Sequence, residues 1–324
     1  MTKSSKKWWK QPVENIFGSK SKIKGMHLLK HYGNSKIGIF RMKGDARTYL
    51  IKDYNERKFG YQEIKNLKNI RDIGTFHKPI FVANYKNFFV EEFIKGKIMQ
   101  DILEKETNRE NVRNLYLKAV DELVKIHTSA GFLKNKNDLK NTFKREELKR
   151  RINLFLFYIE NFGFPSYEKY GGKIKREWRR AVEKVPTNIK RMVKHLGINE
   201  KNYLLGHGDY KPNNLILTKN GEIYVIDWLG MAKAQPWYDL AYLLTRLTGH
   251  EKEFFLKEYL EKMHKNGYLK ETSLKEAENL LRTGIIYQQL QRAKSNAHRI
   301  KSKRDVHHMR EFSAALDGLV HVIS

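Results

Sequence analysis

Two short polar segments in the second half of the chain carry residue types suited to phosphate chemistry. They read HGDYKPNN at 207–214 and VIDW at 225–228. Asp209 precedes Asn214 by five positions (214 − 209), and Asp227 follows thirteen positions later (227 − 214). A carboxylate can take the proton of an attacking hydroxyl, and amide and carboxylate oxygens are ligands that Mg²⁺ prefers. The spacing therefore indicates phosphoryl transfer, which needs a positioned metal, neutralised charge and an oriented hydroxyl.

The pattern HGD-x-x-x-x-N followed by IDW resembles that of the aminoglycoside phosphotransferase and choline kinase family, whose members share the protein-kinase fold. The letters DLA at 239–241 resemble the segment that follows the metal-binding aspartate in this family. The resemblance implies that Asp209 is the catalytic base and that Asn214 and Asp227 bind magnesium. It also implies that Lys211 contacts the transferred phosphate, as the matching lysine does in protein Ser/Thr kinases. The expected activity is transfer from ATP, with magnesium, to a small-molecule hydroxyl.

Three other interpretations of these segments stay open. An ordinary polar loop would use its Asp and Asn side chains for turn hydrogen bonds. A catalytically inactive kinase-like protein would instead bind nucleic acid or an acidic membrane through its basic surface. The third alternative is a protein kinase, which usually carries Arg before the catalytic Asp and Phe-Gly after the metal Asp. This chain has Gly208 and Trp228 there, which favours the small-molecule branch, although Lys211 and Pro212 match protein kinases.

A lysine and a glutamate in the first third of the chain resemble the phosphate-holding pair of kinases. Lys52 ends the stretch YLIK, and Glu63 follows eleven positions later (63 − 52), which leaves room for a loop and one helical turn. The resemblance implies that Lys52 binds the α- and β-phosphates of the nucleotide and that Glu63, on the next helix, orients the lysine. A solvent-facing lysine and an unrelated glutamate are the alternative.

The segment YGNSKIG at 32–38 stands where kinases have their nucleotide-covering loop, although it lacks the GxGxxG pattern of protein kinases. Gly33 would allow the backbone to approach a phosphate closely. Asn34 and Ser35 carry groups that hydrogen-bond phosphate oxygens. We therefore expect nucleotide contacts from these three residues, with a plain β-turn as the alternative.

The segment VEEFIKG at 90–96 resembles the hinge between the two lobes of a kinase. In that arrangement backbone groups around Glu92 and Ile94 pair with the adenine edge, so side-chain identity carries little information. A strand end followed by a turn is the alternative. The expected cofactors are thus ATP and Mg²⁺, and the expected partners are the nucleotide and a small-molecule acceptor.

These site residues require a sheet and helices that position them. Alternating apolar residues on either side of a KGD turn predict a hairpin with strands at 36–42 and 48–53. Apolar residues at helical spacing predict a helix around Glu63. We predict an α+β, two-lobed protein-kinase-like fold with a small β-rich N-lobe at 1–95 and a larger, mainly helical C-lobe at 96–324. The first would bind the nucleotide, and the second would carry the catalytic loop, the metal site and the acceptor-binding helices.

Composition restricts the class of protein further. The chain has 324 residues, a net charge of +28 and no cysteine, which excludes disulfides and thiolate catalysis. Without a long apolar run or a secretory signal, a cytoplasmic location is expected. The sequence has no dedicated nucleic-acid motif, so the charge indicates a solvated surface with at most weak contact to polyanions or acidic membranes. The segment KKWWK at 6–10 has an interfacial character, but packing of its tryptophans onto the N-lobe is the favoured interpretation.

The acceptor is expected to be neutral or anionic. The variable regions that would bind it, 135–201 and the part after Glu251, are dominated by Lys and Arg. Cationic aminoglycosides are usually bound by acidic clusters, and like charges repel. A sugar, an amino alcohol or a related metabolite is therefore the expected acceptor class.

Overall fold

The computed structural model describes residues 8–18, 23–32, 35–53, 57–86, 88–129, 145–195, 204–301 and 304–323. The chain folds into two compact units. The first contains Met1–Asp138 and His207–Met231, and the second contains Leu139–Gly206 and Ala232–Ser324. Both polar motifs of the sequence, together with Lys52 and Glu63, therefore belong to the first unit.

The described strands are β1 (Ile23–Tyr32), β2 (Ser35–Met42), β3 (Thr48–Asp53), β4 (Phe81–Tyr85), β5 (Phe88–Glu92), β6 (Gly96–Ile98), β7 (Leu204–Gly206), β8 (Leu215–Thr218), β9 (Ile223–Val225) and β10 (Ala232–Ala234). The described α-helices are α1 (Lys10–Phe17), α2 (Arg57–Ile70), α3 (Met99–Leu103), α4 (Arg109–Thr128), α5 (Arg145–Tyr158), α6 (Phe164–Lys169), α7 (Arg176–His195), α8 (Pro236–Leu244), α9 (Gly249–Lys265), α10 (Leu274–Ile300) and α11 (Val306–Ile323). One 3₁₀ turn, Pro212–Asn214, lies within the first polar motif, and a second, Trp228–Gly230, begins at the last residue of the second motif.

An antiparallel sheet in the order β1-β2-β3-β5-β4 forms the centre of the first unit. Side chains alternate between the two faces of a strand. Tyr49 and Ile51 of β3 therefore share one face, where they pack with Phe40 and with Val13 of α1 in an apolar cluster. Lys52 lies on the opposite face of the same strand. The alternation in β3 thus directs the lysine away from the α1 side of the sheet.

Helix α2 forms because its apolar residues recur at helical spacing. Ile64, Leu67 and Ile70 are buried along one stripe of the helix. The polar side chains of Glu63 and Asn66 are also buried on α2. Since a buried charge or amide is costly unless it has partners, their burial indicates specific contacts.

The second unit is mainly helical and is organised around α10. Ile286, Leu290 and Ala293 of this helix are buried in a cluster that includes residues of α5, α7 and α11. Ser273 caps α10 by accepting a hydrogen bond from the Glu276 backbone N–H at 3.2 Å. Strands β7 and β10 pair with each other in this unit.

Most secondary structure follows the sequence pattern. The predicted hairpin is confirmed by the pairing of β2 with β3, and the predicted helix around Glu63 is confirmed as α2. Within the basic region 135–201, the described α-helices are α5, α6 and α7. Helix α1 was not predicted, because its short sequence KQPVENIF gives little periodicity. None of the described helices combines the length and apolar character that crossing a membrane requires.

Candidate active site

The loop at 207–214 brings three of the predicted site residues together. Asn214 donates from Nδ2 to the backbone carbonyl oxygen of Asp209 at 2.9 Å and to the carboxylate Oδ2 of Asp209 at 2.9 Å. Lys211 Nζ donates to the same Oδ2 at 2.7 Å. Both contacts use one carboxylate oxygen, and within the described residues Asp209 Oδ1 accepts no hydrogen bond. Oδ1 is therefore the atom that is free to receive a substrate proton.

Asn214 and Asp227 carry the oxygen atoms suited to magnesium. Because Asn214 Nδ2 donates to Asp209, the amide orientation is fixed and Oδ1 is the end available to a cation. Asp227 adopts the left-handed conformation, with φ 63° and ψ 65°, which Asp tolerates better than most residues. Among the described residues no group of three or more acidic or histidine side chains is arranged to hold a metal. A two-residue set fits Mg²⁺, which is usually bound by one or two protein ligands together with substrate phosphates.

His207 joins the loop of Asp209 to the strand that precedes Asp227. Its Nδ1 lies 3.3 Å from the backbone N–H of Asp209, and its Nε2 lies 3.0 Å from the carbonyl oxygen of Ile226. Since a backbone N–H only donates, Nδ1 accepts and Nε2 carries the proton that it donates to Ile226. The Ile226 N–H donates in turn to the Asn214 carbonyl at 3.0 Å. The two loops are therefore connected by direct hydrogen bonds.

Gly208 allows the same two loops to approach closely. It has φ +82°, and a Cβ at this position would lie 2.0 Å from the carbonyl oxygen of Gly230. A positive φ disfavours residues with a Cβ, and the contact leaves no space for one. These two facts explain in physical terms why glycine precedes Asp209 where protein kinases usually have arginine.

Lys52 lies between two buried carboxylates. Its Nζ is 2.9 Å from Glu63 Oε1 and 3.1 Å from Glu91 Oε1, and it also lies 5.1 Å above the ring centre of Phe89. The structure thus brings together the lysine and glutamate that the sequence pairs. Glu91 was missed by sequence analysis. The sequence feature that points to Glu91 is its position as a charged residue in the mostly apolar β5, between Val90 and the predicted hinge residue Glu92.

Burial is the main reason that the pKa of Glu91 is raised from 4.5 to about 7. The Lys52 ammonium opposes this rise by its charge and by a hydrogen bond, whereas the negative charges of Glu63 and Asp227 add to it. An isolated carboxylate loses its hydration on burial, so its neutral form gains relative stability. Glu91 therefore changes charge near neutral pH.

Helix α2 is also connected to the segment after Asp227. Asn66 donates hydrogen bonds from its side-chain amide to the carbonyl oxygens of Trp228 and Leu229. Sequence analysis missed Asn66, because a single asparagine in a helical pattern gives no signal of a distant backbone partner. Its burial is the structural feature that reveals it.

The predicted hinge lies at the end of β5, where two backbone N–H groups already donate hydrogen bonds within the protein. The Glu92 N–H donates to the Ile80 carbonyl at 2.9 Å, and the Phe93 N–H donates to the Thr48 carbonyl at 2.8 Å. The Glu92 amide therefore cannot also donate to a base. The next amide along the chain, that of Ile94, donates no hydrogen bond within the described residues. Ile94 is consequently the better donor for the edge of a nucleotide base.

The predicted nucleotide-covering loop is only partly described. Gly33 and Asn34 lie outside the described residues, and Ser35 begins β2 opposite Tyr32.

Trp8 and Trp9 pack against the apolar cluster of the first unit, and Trp8 stacks on Phe88 with ring centres 6.0 Å apart. The favoured interpretation of these tryptophans is therefore confirmed, and their rings are used in packing.

A comparison with known protein families identifies the family of the chain. The model of the phosphotransferase enzyme family, APH, matches residues 39–272. Because this is more than half of the chain, the chain belongs to that family. No curated protein matches the chain by sequence.

Solved structures with the same fold include three phosphotransferases. Choline kinase LicA from Streptococcus pneumoniae has a TM-score of 0.62 at 18% identity, covering 95% of this chain and 96% of its own. The ADP complex of aminoglycoside phosphotransferase APH(2'')-Ib has a TM-score of 0.57 at 16% identity, covering 93% and 95%. The spectinomycin phosphotransferase APH(9)-Ia has a TM-score of 0.60 at 12% identity, covering 96% of both chains.

These findings confirm the predicted α+β, protein-kinase-like fold and the predicted family. The chain is therefore a phosphotransferase.

Proposed function

We propose that the chain transfers the γ-phosphate of ATP, with Mg²⁺, to a hydroxyl group of a neutral or anionic small molecule. The observation that carries the proposal is the Asp209 carboxylate, which has Oδ2 bound by Lys211 and Asn214 and Oδ1 left open. Complexes of similar structures with ADP, GDP and ATP support a purine nucleotide as the donor.

Asp209 is the base in this mechanism. Its Oδ1 accepts the proton of the substrate hydroxyl while the hydroxyl oxygen forms a bond to the γ-phosphorus. The bond from that phosphorus to the β–γ bridging oxygen breaks, and ADP leaves. Lys211, which lies beside the base with its Nζ 2.7 Å from Asp209 Oδ2, neutralises charge on the transferred group. The proton and the phosphoryl group are thus both accounted for by one loop.

Lys52 positions the donor by binding its α- and β-phosphates, and Glu63 orients the lysine through the 2.9 Å ion pair. Asn214 Oδ1 and the Asp227 carboxylate would hold the metal. When bound, Mg²⁺ neutralises and orients phosphate oxygens. Electrostatic positioning of this kind supplies most of the catalysis in phosphoryl transfer.

The charge of the chain supports the neutral or anionic acceptor. Net charge is +28, and α7 of the second unit exposes Arg176, Arg179 and Arg180. A positive field attracts anions and repels cations. This preference differs from several similar structures, which are complexes with kanamycin, gentamicin or streptomycin.

The test is transfer of label from γ-labelled ATP to three sets of acceptors. These are neutral and anionic polyols and sugars, cationic aminoglycosides and choline, and a protein extract. We expect magnesium-dependent labelling in the first set and none with Asp209→Asn. The control is Asp72→Asn, which changes an exposed aspartate on the loop after α2 and should keep full activity.

Each other outcome contradicts a definite part of the proposal. Labelling of the cationic set alone would refute the acceptor class. Labelling of protein alone would identify a protein kinase. Full activity of Asp209→Asn would remove that residue from its role as the base.

A further inference from the structure

Glu91 is an acidic group at the proposed nucleotide site that the mechanism above does not use. It lies on β5, directly opposite Leu50 of β3. Its carboxylate is 3.1 Å from Lys52 Nζ, which also holds Glu63 at 2.9 Å. Two buried carboxylates thus share one ammonium, and burial makes each ionised carboxylate depend on that contact.

In the described part of the chain, the positive charge next to Glu91 comes from Lys52. Within the described residues Lys52 is the one cation at ion-pair distance from its carboxylate. Two negative charges also act on Glu91, that of Glu63 on α2 and that of Asp227 in the segment after β9. On β4, the residue paired with Glu91 is the apolar Phe81. The charge state of Glu91 therefore depends on how much of the Lys52 ammonium is available to it.

We propose that nucleotide binding places a proton on Glu91, because the incoming phosphates compete with its carboxylate for Lys52. This inference rests on the proposed function, in which Lys52 binds the α- and β-phosphates. The phosphates form an ion pair with the Lys52 ammonium and also add negative charge near Glu91. Both effects favour the neutral form of the Glu91 carboxyl. The proton comes from solvent and is released when the nucleotide leaves. Glu63, closer to Lys52, remains its ion-pair partner.

The expected pH dependence follows from the charge state of the free enzyme. Burial raises the pKa of Glu91 to about 7. In the free enzyme the Glu91 carboxyl is therefore mostly protonated below pH 7 and mostly ionised above pH 7. Nucleotide binding is therefore accompanied by the uptake of few protons at pH 6 and of about one proton per bound nucleotide at pH 8. Affinity should accordingly fall by up to about tenfold for each pH unit above 7.

The experiment is calorimetric titration of the full chain with ADP and MgCl₂ at pH 6 and pH 8. Each titration is repeated in two buffers of different ionisation enthalpy, which gives the number of protons taken up. The wild type is compared with Glu91→Gln, whose amide mimics the neutral acid. Glu110→Gln, an exposed position at the start of α4, is the matched control. ADP is used because it binds without a transfer step.

We expect wild type and Glu110→Gln to take up about one proton at pH 8, and Glu91→Gln to take up none. Glu91→Gln should also bind ADP about tenfold more tightly than wild type at pH 8 and equally at pH 6. Thermal unfolding of each variant checks folding, and the wild-type measurement needs no variant at all. Wild-type binding without proton uptake, or equal uptake by Glu91→Gln, would overturn the inference alone. Absence of any ADP binding by wild type would overturn the proposed function and the inference with it.

Discussion

The side-chain amide of Asn66 donates a hydrogen bond of 2.7 Å to the carbonyl oxygen of Trp228, the residue that follows Asp227. A longer bond of 3.2 Å reaches Leu229, and Gln62 Nε2 donates to Asn66 Oδ1 at 2.8 Å. Asn66 is three positions after Glu63 (66 − 63), so both lie on neighbouring turns of α2. The helix that orients Lys52 is therefore tied to the segment that carries the proposed metal ligand.

Asn66→Asp should separate these two parts of the site. Aspartate has nearly the same shape but cannot donate to a carbonyl oxygen, and it adds a buried charge. We expect the free energy of unfolding to fall by about 1–3 kcal/mol, which urea denaturation measures. We also expect a raised KM for the nucleotide, because Lys52 and Asp227 lose their common support. Asn69→Asp, on the same helix but only half-buried, is the control and should change neither quantity by as much. Equal behaviour of the two variants would show that the Asn66 bonds are incidental.

Gly208→Ala tests the close approach of the two loops. The left-handed conformation costs about 1–2 kcal/mol for alanine, and overpacking against Gly230 adds about 1–3 kcal/mol. The control is Gly44→Ala, because Gly44 also has a positive φ, +86°, but has no atom within 4 Å of the added Cβ. Its cost should be about 1–2 kcal/mol with activity retained. Chemical denaturation and a transfer assay on both variants measure the difference. A Gly208→Ala variant as stable and active as Gly44→Ala would contradict the contact.

Sequence alone predicts those parts of the site that depend on local order. Asp209, Asn214 and Asp227 are recognisable because their spacing is fixed by one loop and two short strands. Glu91 is not recognisable in this way, because its importance comes from β5 lying beside β3, so that it shares Lys52 with a helix. The competing residue Glu92 has the same type and is adjacent in sequence. Only strand register decides which of the two faces the lysine.

Side chains that hydrogen-bond to distant backbone carbonyl oxygens are equally hard to predict from sequence. The bonds of Asn66 and His207 end on carbonyl oxygens of residues distant in sequence, and any residue type offers such an oxygen. No pattern of residue types therefore records the partner. The fold class, in contrast, depends on hairpin and helix periodicities that repeat over many residues, which is why it follows from the sequence.

The turn between β2 and β3 provides a prediction about pH. Hydrogen bonds from the Tyr49 hydroxyl and from the backbone and side chain of Arg47 lower the pKa of Asp45 from 3.8 to about 2. Because the folded pKa is the lower one, the stabilisation is complete above about 3.8 and is lost as the pH falls toward 2. Tyr49→Phe removes the largest of these effects and should raise the pKa of Asp45, as followed by carboxyl carbon NMR shifts. Tyr61→Phe, an exposed tyrosine elsewhere in the first unit, should leave it unchanged. An Asp45 pKa that is the same in both variants would contradict the assignment.

Asp227 should show a conflict between stability and metal binding. Its left-handed backbone, with φ 63°, costs about 1–2 kcal/mol for a residue with a Cβ, although Asp is among the more tolerant residues. Glycine adopts this conformation without strain, so Asp227→Gly should not lower the free energy of unfolding and should raise it by up to about 1 kcal/mol. The same change removes the carboxylate. We therefore expect a variant that is at least as stable as wild type and has lost magnesium dependence.

The measurement pairs urea denaturation with titration of ADP in the presence and absence of MgCl₂. Wild type and Asp209→Asn should both bind ADP more tightly with magnesium, since Asp209 acts on the acceptor hydroxyl and not on the metal. Asp227→Gly should bind ADP equally in both conditions. Asp227→Ala should lose the same magnesium effect but keep the backbone strain, so its stability should be below that of Asp227→Gly. If Asp227→Gly retained the full magnesium effect, the metal would have to be bound by other residues. If Asp227→Gly unfolded more easily than Asp227→Ala, the backbone strain assigned to this position would be contradicted.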